Sequence, residues 1–166
     1  MPFFGHTNGI DEIALWHELR TRVPHWFRAC LNIDAEDFHI FQQWLRLSRV
    51  TWIRSTDVIV FLEPRKSTHV VEAHLALMDY PVGQLRGDFC ELLQWIFALG
   101  WKRIEVPVAE VAGKTIRRLL REMGFQLEGT MRRATRGFDA ATQCERYMDV
   151  DLWAILREGD INGPGC

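Results

Sequence analysis

At 166 residues and 19.4 kDa the chain has the size of one domain. With 48% hydrophobic and 25% charged residues it has the composition of a folded globular protein, which excludes a disordered, collagen-like or coiled-coil chain. A net charge of −2 excludes a global field that draws the chain onto nucleic acid, and no apolar run approaches the ~20 residues of a membrane helix.

The start, Met1-Pro-Phe-Phe-Gly-His, has no basic segment followed by an apolar one, so no secretory leader is expected. From Ile10 to Arg28, Ile10, Ile13, Trp16 or His17, Leu19, Val23 and Trp26 or Phe27 recur at helical spacing, and Pro24 bends or breaks the run. A second helix is expected with Asp34 as N-cap and with Phe38, Phe41, Trp44 and Leu45 on one face. Three strands follow: Val50 to Arg54, Asp57 to Pro64 and Ser67 to Met78. In the third, alternation places Val70, Glu72, His74 and Ala76 on one face and Val71, Ala73, Leu75 and Leu77 on the other. A loop then leads into a helix with a Phe89, Leu92, Leu93, Ile96, Phe97 stripe, closed by Gly100.

A strand from Arg103 to Ala109 precedes an amphipathic helix from Lys114 to Met123, which ends at Gly124-Phe125. Ile116, Leu119, Leu120 and Met123 point inward, and Arg117, Arg118 and Arg121 point outward. The chain closes on a hairpin, Gln126 to Arg136 and Arg146 to Leu156, with a loop from Gly137 to Glu145 between them. The order is helix, helix, three strands, helix, strand, helix, two strands. That is an α/β (α+β) domain with a mixed sheet, over residues 1–160, with 161–166 as a mobile tail.

Charge and cysteine placement add two expectations. Lys114 to Arg136 holds seven basic and two acidic residues in a chain that is otherwise acidic. The arginine face of Arg117, Arg118 and Arg121, continued by Arg132, Arg133 and Arg136, predicts a protein partner, an acidic one, together with exposed aromatics among the seven tryptophans. Nucleic acid is not expected, because no aromatics interleave with the arginines, and no feature specifies an oligomeric state. The four cysteines form no Cys-x-x-Cys pair, so no metal knuckle is expected and a reducing compartment is.

The run Ile116-Arg-Arg-Leu-Leu-Arg-Glu-Met-Gly-Phe-Gln-Leu-Glu-Gly-Thr-Met-Arg resembles a segment of the GNAT superfamily of acyl-CoA N-acyltransferases. It matches the helix, Gly-Phe turn and Glu-Gly-x-x-Arg strand of the branch that acetylates protein N-termini and ribosomal proteins. With the strand, helix and strand before it, the resemblance covers about Asp57 to Leu156. It implies a mostly antiparallel sheet flanked by helices, with splayed central strands, and transfer of an acetyl group from acetyl-CoA to an amine.

The resemblance also implies roles. Gln84, Leu85, Arg86, Gly87 and Asp88 correspond to the loop whose amides hold the coenzyme A pyrophosphate. Backbone amides near Leu75 to Leu77 would polarise the thioester carbonyl. Glu72 is the first choice of general base and His74 a proton relay. Three positions depart from the family pattern: Phe89 for Gly or Ala, Gly113 for Asn, and Leu120 for a general-acid Tyr. Read without the family, Asp88-Phe-Cys-Glu91 is a capping box, and Glu72 and His74 stand on a solvated strand face. Two functions stay open. One is an active cytoplasmic acetyltransferase; the other is a GNAT-fold binding or assembly protein without turnover, such as a phage virion component.

Overall fold

A computed structural model describes residues 11–31, 36–54, 58–67, 69–78, 85–110, 113–139, 142 and 144–157. Helix α1 (Glu12–Arg22) begins at Asp11, whose Oδ1 accepts from the Ile13 amide at 2.9 Å, and stops before Pro24. Its inward line is Leu15 and Leu19, four residues apart, so Ile13 is turned to solvent, contrary to the expected stripe. After the break the chain resumes as a π-helical turn, Phe27–Leu31. Helix α2 (Phe38–Leu47) is capped by Asp37, which accepts from Ile40 N at 3.1 Å. Asp34, the expected cap, lies outside the described residues, as do the chain start, Gln84 and the 161–166 tail.

The strands are β1 (Thr51–Arg54), β2 (Val58–Pro64), β3 (Val70–Leu77), β4 (Arg103–Ala109), β5 (Gln126–Asp139) and β6 (Cys144–Leu156), in the sheet order β1-β2-β3-β4-β6-β5. Every neighbouring pair is antiparallel except β3 with β4. That parallel pair holds only from Val70–Arg103 to Glu72–Glu105. Beyond it β3 runs on to Leu77 and β4 to Ala109 without pairing, so the centre of the sheet is split at one end.

Each face of the sheet carries its own core. Val60, Leu62, Val71, Ala73, Val106, Val108 and Trp153 pack under α3 (Leu85–Ala98) and α4 (Gly113–Glu122). Ile59, Phe61, Ala76 and Met78 pack under α1, the π-helical turn and α2, through Leu15, Leu19, Phe27, Phe41 and Leu45. Alternation along β2 and β3 feeds both cores at once, which is why these strands read as nearly unbroken apolar runs.

Two boundaries differ from the sequence expectation. Helix α3 starts at Leu85, so Asp88 is already inside it with helical backbone and cannot be its N-cap. Phe89 faces the core beside Leu92, Leu93 and Ile96 instead of the helix mouth. The final hairpin is also longer than expected, because Gly137, Phe138 and Asp139 pair with Arg146, Glu145 and Cys144. At Gly137 a Cβ would sit 2.6 Å from the Met148 sulfur across the ladder, so the glycine gives that side chain room to lie over the strand.

Candidate active site at the split of the sheet

The two edges of β3 are told apart by its hydrogen bonds. The His69 carbonyl accepts from Lys102 N and Arg103 N, toward β4, whereas the Val70 carbonyl accepts from Arg65 N, toward β2. Backbone groups alternate between edges along a strand, so Ala73, Leu75 and Leu77 present theirs to the split. The Leu75 carbonyl is taken by Trp26, whose Nε1–H donates to it at 3.0 Å. Trp26 also packs 4.9 Å from Phe61, so the segment after α1 is tied to the edge of the split.

Glu72 and His74 stand where β3 and β4 part. They are 6% and 5% exposed, so the face is not the solvated one that the residues alone suggested. Its cover is α2, whose Trp44 ring meets His74 edge-on at 5.6 Å. Register brings a third group that the linear sequence does not single out: Glu63 of β2 lies directly opposite Glu72. His74 Nε2 is 3.3 Å from Glu63 Oε2 and 3.2 Å from Glu72 Oε1. Placed between two acceptors, Nε2 must carry a proton and share it. Trp44 Nε1–H donates to the same Glu63 oxygen at 2.9 Å. The hydrogen bond from His74 is the main reason the Glu63 carboxyl is held down at about 2; burial opposes this, and Trp44 adds to it.

The row continues across the sheet. Glu63, Glu72 and Glu105 occupy one cross-strand line on β2, β3 and β4. Three carboxylates directly opposite one another would repel; the His74 N–H stands between the first two and the Arg65 guanidinium between the second and third. Arg65 pairs with Glu72 and lies 3.9 Å from Glu105, Arg103 Nε donates to Glu105 at 2.8 Å, and the same guanidinium grips Glu128 of β5 with both terminal nitrogens. Arg103 holds Glu128 below the usual carboxylate range, against a small burial penalty. Ligand atoms of Glu63, Glu72 and His74 lie within 4.8 Å of one another and could hold a divalent metal, but His74 and Arg65 already engage these carboxylates.

The remaining expected site residues fall as follows. Leu85, Arg86, Gly87 and Asp88 form the first turn of α3; the placement of their side chains, like Gln84, is outside the described residues. The first amides of such a turn have no partner within the helix and point out of its start. Gly113 begins α4. Leu120 is buried in the α3–α4 core, so no acid can act from that position.

The outward arginines of α4 are engaged. Arg117 donates to Asp151 at 2.8 Å and to the Ala109 carbonyl, Arg118 pairs with Glu122 at 2.7 Å, and Arg121 lies over Trp153. None of the seven tryptophans is fully exposed; the exposed aromatic among the described residues is Tyr147. Among the described residues no helix is long and apolar enough to cross a membrane.

This architecture is that of the GNAT acetyltransferase fold. A spermidine N-acetyltransferase from Vibrio cholerae, solved with CoA and spermine, is 18% identical over 93% of this chain and 94% of its own, with a TM-score of 0.68. A ribosomal-protein-alanine N-acetyltransferase from Brucella melitensis is 16% identical over 95% and 100%, with a TM-score of 0.64. A GNAT-family acetyltransferase from Streptococcus pneumoniae is 17% identical over 89% and 94%, with a TM-score of 0.61. No family model matches the sequence, and no curated protein matches it.

Proposed function

We propose that the chain is an acetyl-CoA-dependent N-acyltransferase. The observation that carries this reading is the parting of β3 from β4 immediately beyond Glu72–Glu105, with Glu72 and His74 buried at the point of parting. A split of this kind gives a thioester an extended strand edge to lie against, here the backbone of Leu75 and Leu77. The first-turn amides of α3, with Gln84 and Arg86, are the groups to receive the coenzyme phosphates.

In the proposed reaction an ammonium acceptor surrenders one proton to Glu72. The freed lone pair attacks the thioester carbonyl, and the new C–N bond forms. The tetrahedral intermediate collapses with loss of the CoA thiolate, which takes up the second proton shed by the new amide nitrogen. His74 Nε2–H, shared with Glu63, donates to Glu72 and holds that carboxylate in place. A sheet-embedded base of this kind needs little reorganisation at the moment of transfer.

Calorimetric titration with millimolar acetyl-CoA tests the reading, with heat of binding and a raised Tm as the expected result. With an amine acceptor present, Glu72→Gln should lower kcat by roughly 10²–10⁴ while leaving acetyl-CoA affinity near wild type. Absence of both heat and Tm shift removes the enzyme. It leaves the binding-protein alternative, which the Leu120 departure and the Trp26 bond to the Leu75 carbonyl favour.

A further inference from the structure

The β5–β6 hairpin outruns the rest of the sheet. Strand β4 stops pairing at Ala109–Val150, and β6 extends from there back to Cys144. The pair therefore continues for about 20 Å as a two-stranded arm, at ~3.4 Å per residue. It leaves the sheet at the end where β3 and β4 have parted. Among the described residues β5 is also the edge strand of the sheet, with no strand paired along its outer side.

A bulge sits at the root of this arm. Between Met131–Val150 and Thr135–Met148, β5 has Arg132, Arg133 and Ala134 where β6 has only Asp149. Arg133 is left-handed, at φ 52°, and its amide is pinned to Asp149 Oδ1 at 2.8 Å. A non-glycine residue in this conformation is strained, and such strain concentrates at working surfaces. It pushes two arginines outward.

Several acids around the bulge are already engaged. Asp149 holds the bulge, Glu110 pairs with Arg146 at 3.0 Å, Asp151 with Arg117, and Glu128 with Arg103. Arg132 and Arg133 make no ion pair among the described residues, and Arg136 lies over the exposed Tyr147 ring at 5.4 Å. Beside them Met131 is 48% exposed.

We infer that this arm is a docking surface for an acidic polypeptide segment, held by Arg132, Arg133 and Arg136 against the free edge of β5. Arginine forks match carboxylates, the unpaired edge accepts an extended backbone, and Met131 and Tyr147 supply apolar contact. A nucleic acid fits less well, since the arm offers one exposed aromatic and no stacking series. Because the arm leaves the sheet at its open end, a segment bound here has its terminus near the split. Its use as the acyl acceptor rests on the function proposed above, whereas its binding does not.

Fluorescence anisotropy of the full chain with labelled polyglutamate, and with oligouridylate of equal charge, tests the inference. Polyglutamate should bind, more weakly as salt rises. Arg132→Glu, Arg133→Glu and Arg136→Glu combined should weaken it by at least roughly tenfold, whereas Arg118→Glu on α4 should leave it unchanged. Should the triple variant misfold by circular dichroism, Arg132→Gln with Arg136→Gln replaces it, with roughly threefold weakening expected. No binding of polyglutamate, equal loss in Arg118→Glu, or tighter binding of oligouridylate overturns the inference. Polyglutamate binding without any acetyl-CoA heat would keep the docking surface and discard the enzyme.

Discussion

Two regions of the sheet handle charge in opposite ways. Under α2, His74 and Glu72 are buried and Glu63 is half-buried, and each carboxylate has a cationic or N–H partner supplied by a neighbouring strand or helix. On the β5–β6 arm, Arg132 and Arg133 project without an ion pair among the described residues. The difference follows from solvent. A buried charge costs several kcal/mol unless it is paired, so the covered face admits only complete sets. Water solvates the arginines of the arm at little cost, and they stay available to a partner.

Removing a partner from the covered set is expected to have the largest effect. His74→Leu takes away the proton that Glu63 and Glu72 share and leaves two carboxylates facing each other. Urea denaturation should show a loss of about 3–5 kcal/mol. A loss below about 1 kcal/mol would mean that water reaches these carboxylates, and the contrast between the two regions would fall.

Acid should produce a smaller effect. Glu63 is depressed from an ordinary 4.5 to about 2, so its contribution to stability is complete above pH 4.5 and disappears as pH falls toward 2. With allowance for its partial exposure, that contribution is roughly 1–2 kcal/mol. In Glu63→Gln the slope of stability against pH across this window should flatten. An unchanged slope would assign the acid sensitivity to other carboxylates.

The arm should give the smallest response. Arg132→Ala and Arg136→Ala should each change stability by no more than about 0.5 kcal/mol in thermal denaturation. A loss above about 1 kcal/mol would show that these arginines hold the fold together and are not reserved for a partner.

Much of the candidate site was half legible in the linear chain. Period-two alternation put Glu72 and His74 on the same side of one strand, and that placement is what the strand shows. Their burial was not legible, because it depends on α2 crossing above them. Glu63 was missed for a similar reason. It ends an apolar strand next to Pro64 and gains meaning only when antiparallel register sets it opposite Glu72. The start of α3 was misjudged because Asp88-Phe-Cys-Glu91 satisfies the local rule for a cap, while the backbone is already helical at Leu85.

The order and kind of the elements were determined by the sequence itself. The Phe89, Leu92, Leu93, Ile96 stripe, the apolar run of β2, and Gly100 and Gly124 at φ 99° and 87° after their helices are local signals, since each depends on neighbours within one or two turns. Tertiary structure alone decided where β3 leaves β4, which carboxylates meet across strands, and where β5 bulges. Those features arise between segments tens of residues apart. A one-residue change in register would send every side chain of a strand to the opposite face, and only the packing of both cores together excludes it.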